Sequence, residues 1–179
     1  MAALTERYID FINEQNLFFV ATAAADGRVN VSPKGMDTLR VPEEDRIVWL
    51  NLSGSGNETA AHLAEHDRIT LMFMAFQVRA LIVRVYGRGR VIHPRDPDWD
   101  ALIGLFPEMA GSRQIVDIRV ESAAQSCGTG VPRFDLVEDQ GPVELLPYFD
   151  KLGEEGVKRF WQKKNQVSID GKPTHIFDE

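Results

Sequence analysis

Three polar side chains spaced two residues apart, Asn30, Ser32 and Lys34, form the first cluster that could bind a ligand. Side chains two residues apart on a strand point to the same face, so the amide, the hydroxyl and the ammonium would share one face of a predicted strand. A donor-rich face of this kind suits the oxygen and nitrogen atoms of a cofactor ring, or a phosphate group. An ordinary strand with a polar outer face shows the same spacing, so both interpretations stay open.

A glycine-rich segment, residues 51–59, supplies a second set of donors between a predicted strand and a predicted helix. Glycines let backbone N–H groups approach a ligand, and a helix N-terminus presents unpaired N–H groups at the positive end of its dipole. The candidate binding residues in this segment are Asn51, Ser53, Ser55, Gly56, Asn57 and Thr59. A plain helix start capped by Asn57 or Ser55 is an equal alternative.

Arginines alternate with apolar residues along a third segment, which contains Arg84, Tyr86, Arg88 and Arg90. Strand alternation places these four side chains on one face, where the arginines repel one another unless carboxylates or a bound anion lie between them. Arg84 and Arg88 are therefore candidate anion-binding residues. A solvated face neutralised by carboxylates is the alternative.

The histidines and the cysteine give little support to metal chemistry. His62 and His66 are four residues apart, but no acidic residue accompanies them in the arrangement of a zinc protease. Cys127 is the only cysteine, which excludes an intrachain disulfide and a thiolate metal cluster. We predict no metal site and expect Cys127 to be either a buried small residue or a thiol that lines a pocket.

The charge and the apolar runs of the sequence limit the possible partners. A net charge of −7 argues against a general nucleic-acid binder, because attraction to phosphates needs a clustered surplus of cations. The best apolar run, residues 69–76, is strand-sized, and no charged leader followed by a long apolar stretch follows Met1. The sequence thus predicts neither a membrane span nor a signal peptide, and the cytoplasm is the expected location.

The elements that must position these residues are mostly strands. The predicted strands are 17–23, 29–34, 47–52, 69–76, 80–92 and 115–123, and Asp26-Gly27 forms a hairpin turn between the first two. The predicted helices lie around residues 8–12, at 57–65, at 97–106 and at 148–166, the last broken near Gly153 or Gly156; residues 168–179 are predicted to be loop. This order favours an antiparallel barrel, and no glycine fingerprint of a Rossmann domain follows the first strand.

Several segments in the same order resemble the FMN-binding core of the pyridoxamine 5'-phosphate oxidase-like family. They are residues 19–22, 26–28, 30–35, 54–59, 62–73 and 83–89, nearly half of the chain. Residues 126–132 and 164–171 are similar to an uncharacterised branch of that family. The resemblance implies a single domain over residues 1–179: a six-stranded antiparallel split barrel with an N-terminal helix and a C-terminal helical extension.

The resemblance also implies that FMN binds at the two-fold interface of a homodimer, gripped by the 32–34 strand and the 57–59 turn. Where typical oxidases carry Ser-Arg-Lys, this chain has Asn57-Glu58-Thr59, so Lys34 or an arginine of the 84–90 strand is expected to supply the missing cation. Residues 171–176 lack the Arg-x-His substrate segment of authentic pyridoxamine phosphate oxidases, so vitamin B6 oxidation is not inferred. Apolar surface near Phe73, Met74 and Phe76 is expected at the dimer interface.

The leading functional hypothesis is an FMN-dependent oxidoreductase that acts on a small molecule, without a nucleic-acid or membrane partner and without an assigned catalytic residue. A non-catalytic flavin-binding or sensor module, and a deazaflavin- or haem-using protein of the same fold, are the alternatives. Trp161, Lys164 and Asn165 are expected either to cover the flavin or simply to belong to a helix that packs on the barrel.

Overall fold

The computed structural model describes residues 4–77 and 80–178, and the expected absence of a signal peptide concerns N-terminal residues of which the first three lie outside this part. The strands are β1 (Leu17–Thr22), β2 (Asn30–Gly35), β3 (Leu39–Glu43), β4 (Arg46–Leu52), β5 (Arg68–Met74), β6 (Leu81–Ile92) and β7 (Ser112–Cys127). The helices are α1 (Glu6–Asn13), α2 (Glu58–Glu65), α3 (Trp99–Ile103) and α4 (Leu146–Lys164), with a π-helical turn (Gly141–Leu145) directly before α4.

The seven strands form one antiparallel sheet in the order β2-β1-β5-β6-β7-β4-β3. The sheet is curled, as shown by contacts across its inner face between residues of strands that are not neighbours. The rings of Phe18 on β1 and Trp49 on β4 contact edge to face with centroids 6.3 Å apart. The ammonium of Lys34 on the edge strand β2 lies 5.3 Å from the centroid of the same Trp49 ring. The result is the predicted antiparallel half-barrel, with seven strands instead of six.

The core fills the inside of this curl. Alternate residues of the central strands, such as Val83, Val85, Val116 and Ile118, point inward and are almost fully buried. Phe73 also lies in this core, stacked on Phe18 with centroids 5.7 Å apart. Phe73 itself therefore adds almost no exposed apolar surface, contrary to expectation, whereas Met74 and Phe76 are half-buried. The homodimer itself stays a prediction. A second, smaller core lies on the outer face, where α3 packs against Val48, Leu50, Ile92 and Ile115.

The strand that the sequence prediction missed is β3, an edge strand. Its residues are half-buried or exposed, and it contains Pro42, which lacks the N–H that a central strand needs. β7 is longer than predicted and α3 is shorter. β7 extends because it pairs with β6 along the whole length of that strand, from Ile115 opposite Ile92 to Cys127 opposite Leu81.

The C-terminal helix is broken as predicted. Gly153 has φ +63°, a left-handed conformation that glycine adopts without steric cost, and it divides α4 into two pieces. The residues after α4 turn back on themselves, with an isolated bridge between Val167 and Pro173. None of the helices in the described residues is long and apolar enough to cross a membrane.

Candidate functional site

A cavity of about 440 Å³ opens between the edge strand β2, the end of β4 and the glycine-rich segment. Asn30, Ser32 and Lys34 line it, as the alternation predicted. The apolar residues between them point the other way, so that Val31 is 61% exposed. The polar face of β2 therefore points inward and its apolar face points to solvent, the reverse of an ordinary half-solvated strand.

Lys34 carries its charge in surroundings that make the protonated ammonium less stable than it is in water. Burial, together with repulsion from Arg113, lowers the pKa of its ammonium to about 8. The face of Trp49, 5.3 Å away, offers it a cation–π contact.

Arg113, a residue that the sequence analysis missed, is the second cation of the cavity wall. It is 2% exposed, and burial lowers the pKa of its guanidinium to about 9, so it is still charged at neutral pH. One terminal nitrogen donates to the carbonyl oxygen of Gly56 at 3.0 Å, and its buried Nε has no hydrogen-bond partner. Among the described residues, no carboxylate acts on the pKa of either Arg113 or Lys34.

The position of Arg113 follows from an irregularity between β4 and β7. The register shifts between Asn51 and Leu52, opposite the start of β7, so that Arg113 and Gln114 are both buried although they are adjacent in the chain. An arginine and a glutamine directly before an apolar strand are the only sequence signal of this arrangement. The sequence prediction began the strand at residue 115 and so left Arg113 in a loop.

The glycine-rich segment follows β4 and forms one rim of the cavity. The backbone N–H and the hydroxyl of Ser53 both donate to the carbonyl oxygen of Gly111, at 2.8 and 2.7 Å. The proton of the Ser53 hydroxyl is thus already used in a hydrogen bond within the protein. Among the described residues, no backbone carbonyl accepts from the N–H groups of residues 54–57, which leaves them free to donate to a ligand.

Two asparagines bring unpartnered oxygens to the cavity. Asn51 and Asn57 are 3% and 2% exposed, and the Oδ1 atom of each is buried without a hydrogen-bond partner. Asn57 precedes α2, but its side chain makes no capping hydrogen bond, so the plain helix cap expected as an alternative is not what Asn57 provides. Thr59 also lines the cavity and accepts a hydrogen bond from Asn30 at 3.4 Å. Buried polar atoms without partners are rare in proteins and indicate a missing ligand or water.

The arginine-rich strand β6 does not reach this cavity. Arg84 donates to the hydroxyl of Ser126 at 3.0 Å, and Arg88 pairs with Asp67 and Glu121 at 2.8 and 2.9 Å. This is the solvated, carboxylate-neutralised face that the sequence analysis kept as its alternative. Within the described chain Arg113, and not an arginine of the 84–90 strand, stands beside Lys34.

The C-terminal segment contacts the glycine-rich rim but does not line the cavity. The indole N–H of Trp161 donates to the hydroxyl of Ser53 at 2.7 Å, and the side-chain amide of Asn165 donates to the carbonyl oxygen of Gly54 at 2.9 Å. The ring of Trp161 lines a separate cavity together with Phe149. Lys164 is exposed. Trp161 and Asn165 thus contact the rim on the side away from the cavity, and the side chain of Lys164 is exposed to solvent.

The remaining candidate groups are structural or exposed. His62 is buried beside Thr22, and in the described residues no group of three His, Cys, Asp or Glu side chains is arranged to hold a metal ion. Cys127 is exposed at the end of β7, contrary to the buried or pocket-lining position expected. The hydroxyl of Thr129, which donates to its sulfur, lowers the pKa of the thiol.

A curled antiparallel sheet with a polar cavity at its edge defines a split-barrel protein. A family model described as pyridoxamine 5'-phosphate oxidase matches residues 4–127. A curated relative, the pyridoxamine 5'-phosphate oxidase family protein ustO of Aspergillus flavus, is 32% identical over 187 residues, covering 96% of this chain and 75% of that protein. The chain therefore belongs to the pyridoxamine 5'-phosphate oxidase-like family.

Solved structures share the fold at lower identity. A candidate pyridoxamine 5'-phosphate oxidase from Lactobacillus delbrueckii gives a TM-score of 0.56 at 21% identity, covering 69% of this chain and 95% of that one. HupZ of Group A Streptococcus gives 0.53 at 22% identity, covering 67% and 91%. A protein named F420 Reductase gives 0.50 at 12% identity, covering 68% and 98%. These similarities confirm the split-barrel fold.

Proposed function

We propose that this protein is an FMN-dependent oxidoreductase that acts on a small molecule, and that the cavity beside Lys34 holds the flavin through its phosphate. The observation that carries the proposal is the pair of cations, Lys34 and Arg113, set in the cavity wall without a carboxylate partner among the described residues. Arg113 is buried and Lys34 is half-buried, and the two neighbouring cations repel each other. An anion between them removes both the repulsion and the unmet hydrogen bonding.

The other groups of the cavity fit the rest of FMN. The free N–H groups of residues 54–57 are suited to phosphate oxygens. The unpartnered oxygens of Asn51 and Asn57 can accept from hydroxyl groups of the ribityl chain or from a ring N–H. The volume, about 440 Å³, lies in the range of cofactor and small-molecule pockets. The residues present therefore fit the cofactor that the family resemblance implies.

Bound FMN would supply the electron-transfer chemistry, and the protein would bind and orient it. Glu58, the one carboxylate among the described residues that line the cavity, accepts a hydrogen bond from the backbone N–H of Ile169, at 3.1 Å to each of its oxygens. Within the described residues the cavity thus offers no carboxylate free of a hydrogen bond for acid–base catalysis.

The lack of a free carboxylate among the described residues of the cavity favours a second candidate, a non-catalytic flavin-binding or sensor module. The fold alone does not select between the two, nor between FMN and a deazaflavin or haem, because one fold can host many unrelated functions. Reduction by NAD(P)H with turnover of an electron acceptor distinguishes the enzyme from the binding module.

The test of the proposed function is an absorbance spectrum of the purified protein followed by titration with FMN and with riboflavin. We expect flavin bands near those of free FMN, and clearly tighter binding of FMN than of riboflavin, because only FMN carries the phosphate. Equal affinity for the two would contradict the phosphate site, and a haem or deazaflavin spectrum would replace FMN with that cofactor.

We further propose that the protein works as a homodimer. Val29, directly before β2, and Val31, on the outer face of β2, are exposed. The segment after β7 exposes Phe134, Leu136 and Val137, and Val137 is 96% exposed. Apolar side chains grouped in this way mark association surfaces. Light scattering at micromolar concentration should give twice the mass of one chain, and Val31→Glu should lower it more than Val143→Glu, an exposed control. A folded, flavin-loaded monomer would contradict this proposal.

A further inference from the structure

We propose that Trp161 and Asn165 are positioning residues: they brace the glycine-rich rim of the cavity from behind and so set the affinity for the phosphate of the flavin. This inference rests on the proposed function for its ligand, but not for the brace itself. Neither side chain lines the cavity, so neither is a binding residue.

The rim, residues 53–57, has little of its own to hold it in place. A Cβ atom built on Gly54 would meet no atom within 4 Å, so packing does not fix this part of the backbone. Glycine also leaves the chain more freedom than any other residue. A loop of this kind needs hydrogen bonds from outside to keep one conformation, and ordering it during binding would otherwise reduce affinity.

Trp161 supplies one of these bonds through Ser53. The indole N–H donates to the Ser53 hydroxyl at 2.7 Å, and that hydroxyl donates in turn to the carbonyl oxygen of Gly111 at 2.7 Å. Because a hydroxyl has a single proton, the indole N–H occupies the acceptor side of Ser53 and directs its proton to Gly111. The start of the rim is thereby tied both to the loop before β7 and to α4.

Asn165 supplies a second tie, one residue further along. It is fully buried, and its side-chain amide donates to the carbonyl oxygen of Gly54 at 2.9 Å. Its own carbonyl oxygen accepts from the side chain of Asn57 at 3.4 Å and from the hydroxyl of Thr174 at 2.5 Å. Asn165 thus links both ends of the rim to the C-terminal segment.

The C-terminal segment is itself held firmly enough to act as a brace. The backbone N–H of Ile169 donates to Glu58 at the start of α2, and Lys172 pairs with Asp26 and Glu65 at 2.6 and 2.7 Å. Asp170 pairs with Arg28 in the β1–β2 turn. The segment is therefore anchored both to α2 and to the β1–β2 turn.

The test is Trp161→Phe, which keeps an aromatic ring in α4 but removes the indole N–H together with part of the ring volume. Trp99→Phe is the matched control for the loss of ring volume. Trp99 is also half-buried, but it packs in the outer core around α3 and away from the rim. Amide hydrogen exchange of Ser53, whose backbone N–H donates to the carbonyl oxygen of Gly111 at 2.8 Å at the start of the rim, is measured first in the flavin-free protein. We expect faster exchange in Trp161→Phe and no change in Trp99→Phe.

The second measurement is affinity for FMN and for riboflavin. We expect Trp161→Phe to bind FMN about fivefold more weakly, the effect of one hydrogen bond, with riboflavin binding and the Trp99→Phe variant unchanged. Asn165→Asp, which replaces the donor to Gly54 with an acceptor, should act in the same direction. Unchanged exchange of the Ser53 amide in both rim variants would overturn the brace. Faster exchange in a protein that does not prefer FMN over riboflavin would leave the brace standing and overturn the proposed function.

Discussion

Arg113→Met is expected to weaken FMN binding by about 1.5–3 kcal/mol while making the flavin-free protein more stable. The loss of affinity follows from removing a charge-assisted contact to the phosphate. The gain in stability follows because the folded protein buries this guanidinium, 2% exposed, without a carboxylate partner among the described residues. Methionine fills a similar volume without a charge, and the unfolding free energy should rise by about 1–3 kcal/mol.

Calorimetric titration with FMN and riboflavin, and urea denaturation of the flavin-free protein, measure the two effects. Lys34→Met should reproduce the loss of FMN affinity. Arg119→Met is the matched control, because Arg119 lies on the same strand with 71% of its side chain exposed and should change neither quantity by more than about 0.5 kcal/mol. If Arg113→Met lowers the affinity for riboflavin as much as the affinity for FMN, Arg113 maintains the shape of the cavity and does not bind the phosphate.

FMN affinity is also expected to fall as the pH rises above about 8, the pKa of Lys34 in the flavin-free protein. A phosphate is already almost fully charged above pH 7, so it does not titrate in this range. FMN binds best to the protonated ammonium, and above pH 8 the flavin-free protein must take up a proton to bind it. The dissociation constant should therefore rise with a limiting slope of about tenfold per pH unit.

The stability of the flavin-free protein should change in the opposite direction. Lys34 has a folded-state pKa of about 8, below the unfolded value of 10.5, so the unfolded chain binds more protons between these two values. The Lys34 contribution to the unfolding free energy should therefore rise from pH 8 to about pH 10.5. Lys34→Arg, which stays charged throughout, should remove both trends. A dissociation constant for FMN that is flat from pH 7 to 9.5 would contradict the role given to Lys34.

The sequence predicted the parts of the site that depend on local order along the chain. Alternation of side chains placed Asn30, Ser32 and Lys34 on one face of a strand, and that face lines the cavity. The glycines and polar residues between β4 and α2 likewise predicted the rim. Such features need only the period of a strand and the chemistry of a helix start, which a sequence shows directly.

Arg113 and the brace could not be predicted in this way, because they depend on contacts between distant residues. Arg113 enters the cavity wall because the β4–β7 register shifts opposite Ser112. Trp161 and Asn165 have the spacing of an ordinary packing helix, and nothing in that spacing shows that their polar atoms meet Ser53 and Gly54. β3 was missed for a related reason: an edge strand with Pro42 and exposed polar residues lacks the apolar pattern of a strand.

The brace also sets an order of events while the protein is being made. Trp161 follows Ser53 by 108 positions, and Asn165 follows Gly54 by 111. At about 5–20 residues per second, a ribosome takes roughly 5–20 s to synthesise the intervening chain. The curled sheet can pair its strands during that interval, because β7 ends at Cys127. The rim stays unbraced until α4 has emerged, so on the proposed function we expect tight flavin binding only after α4 has packed against the rim, as one of the last steps of folding.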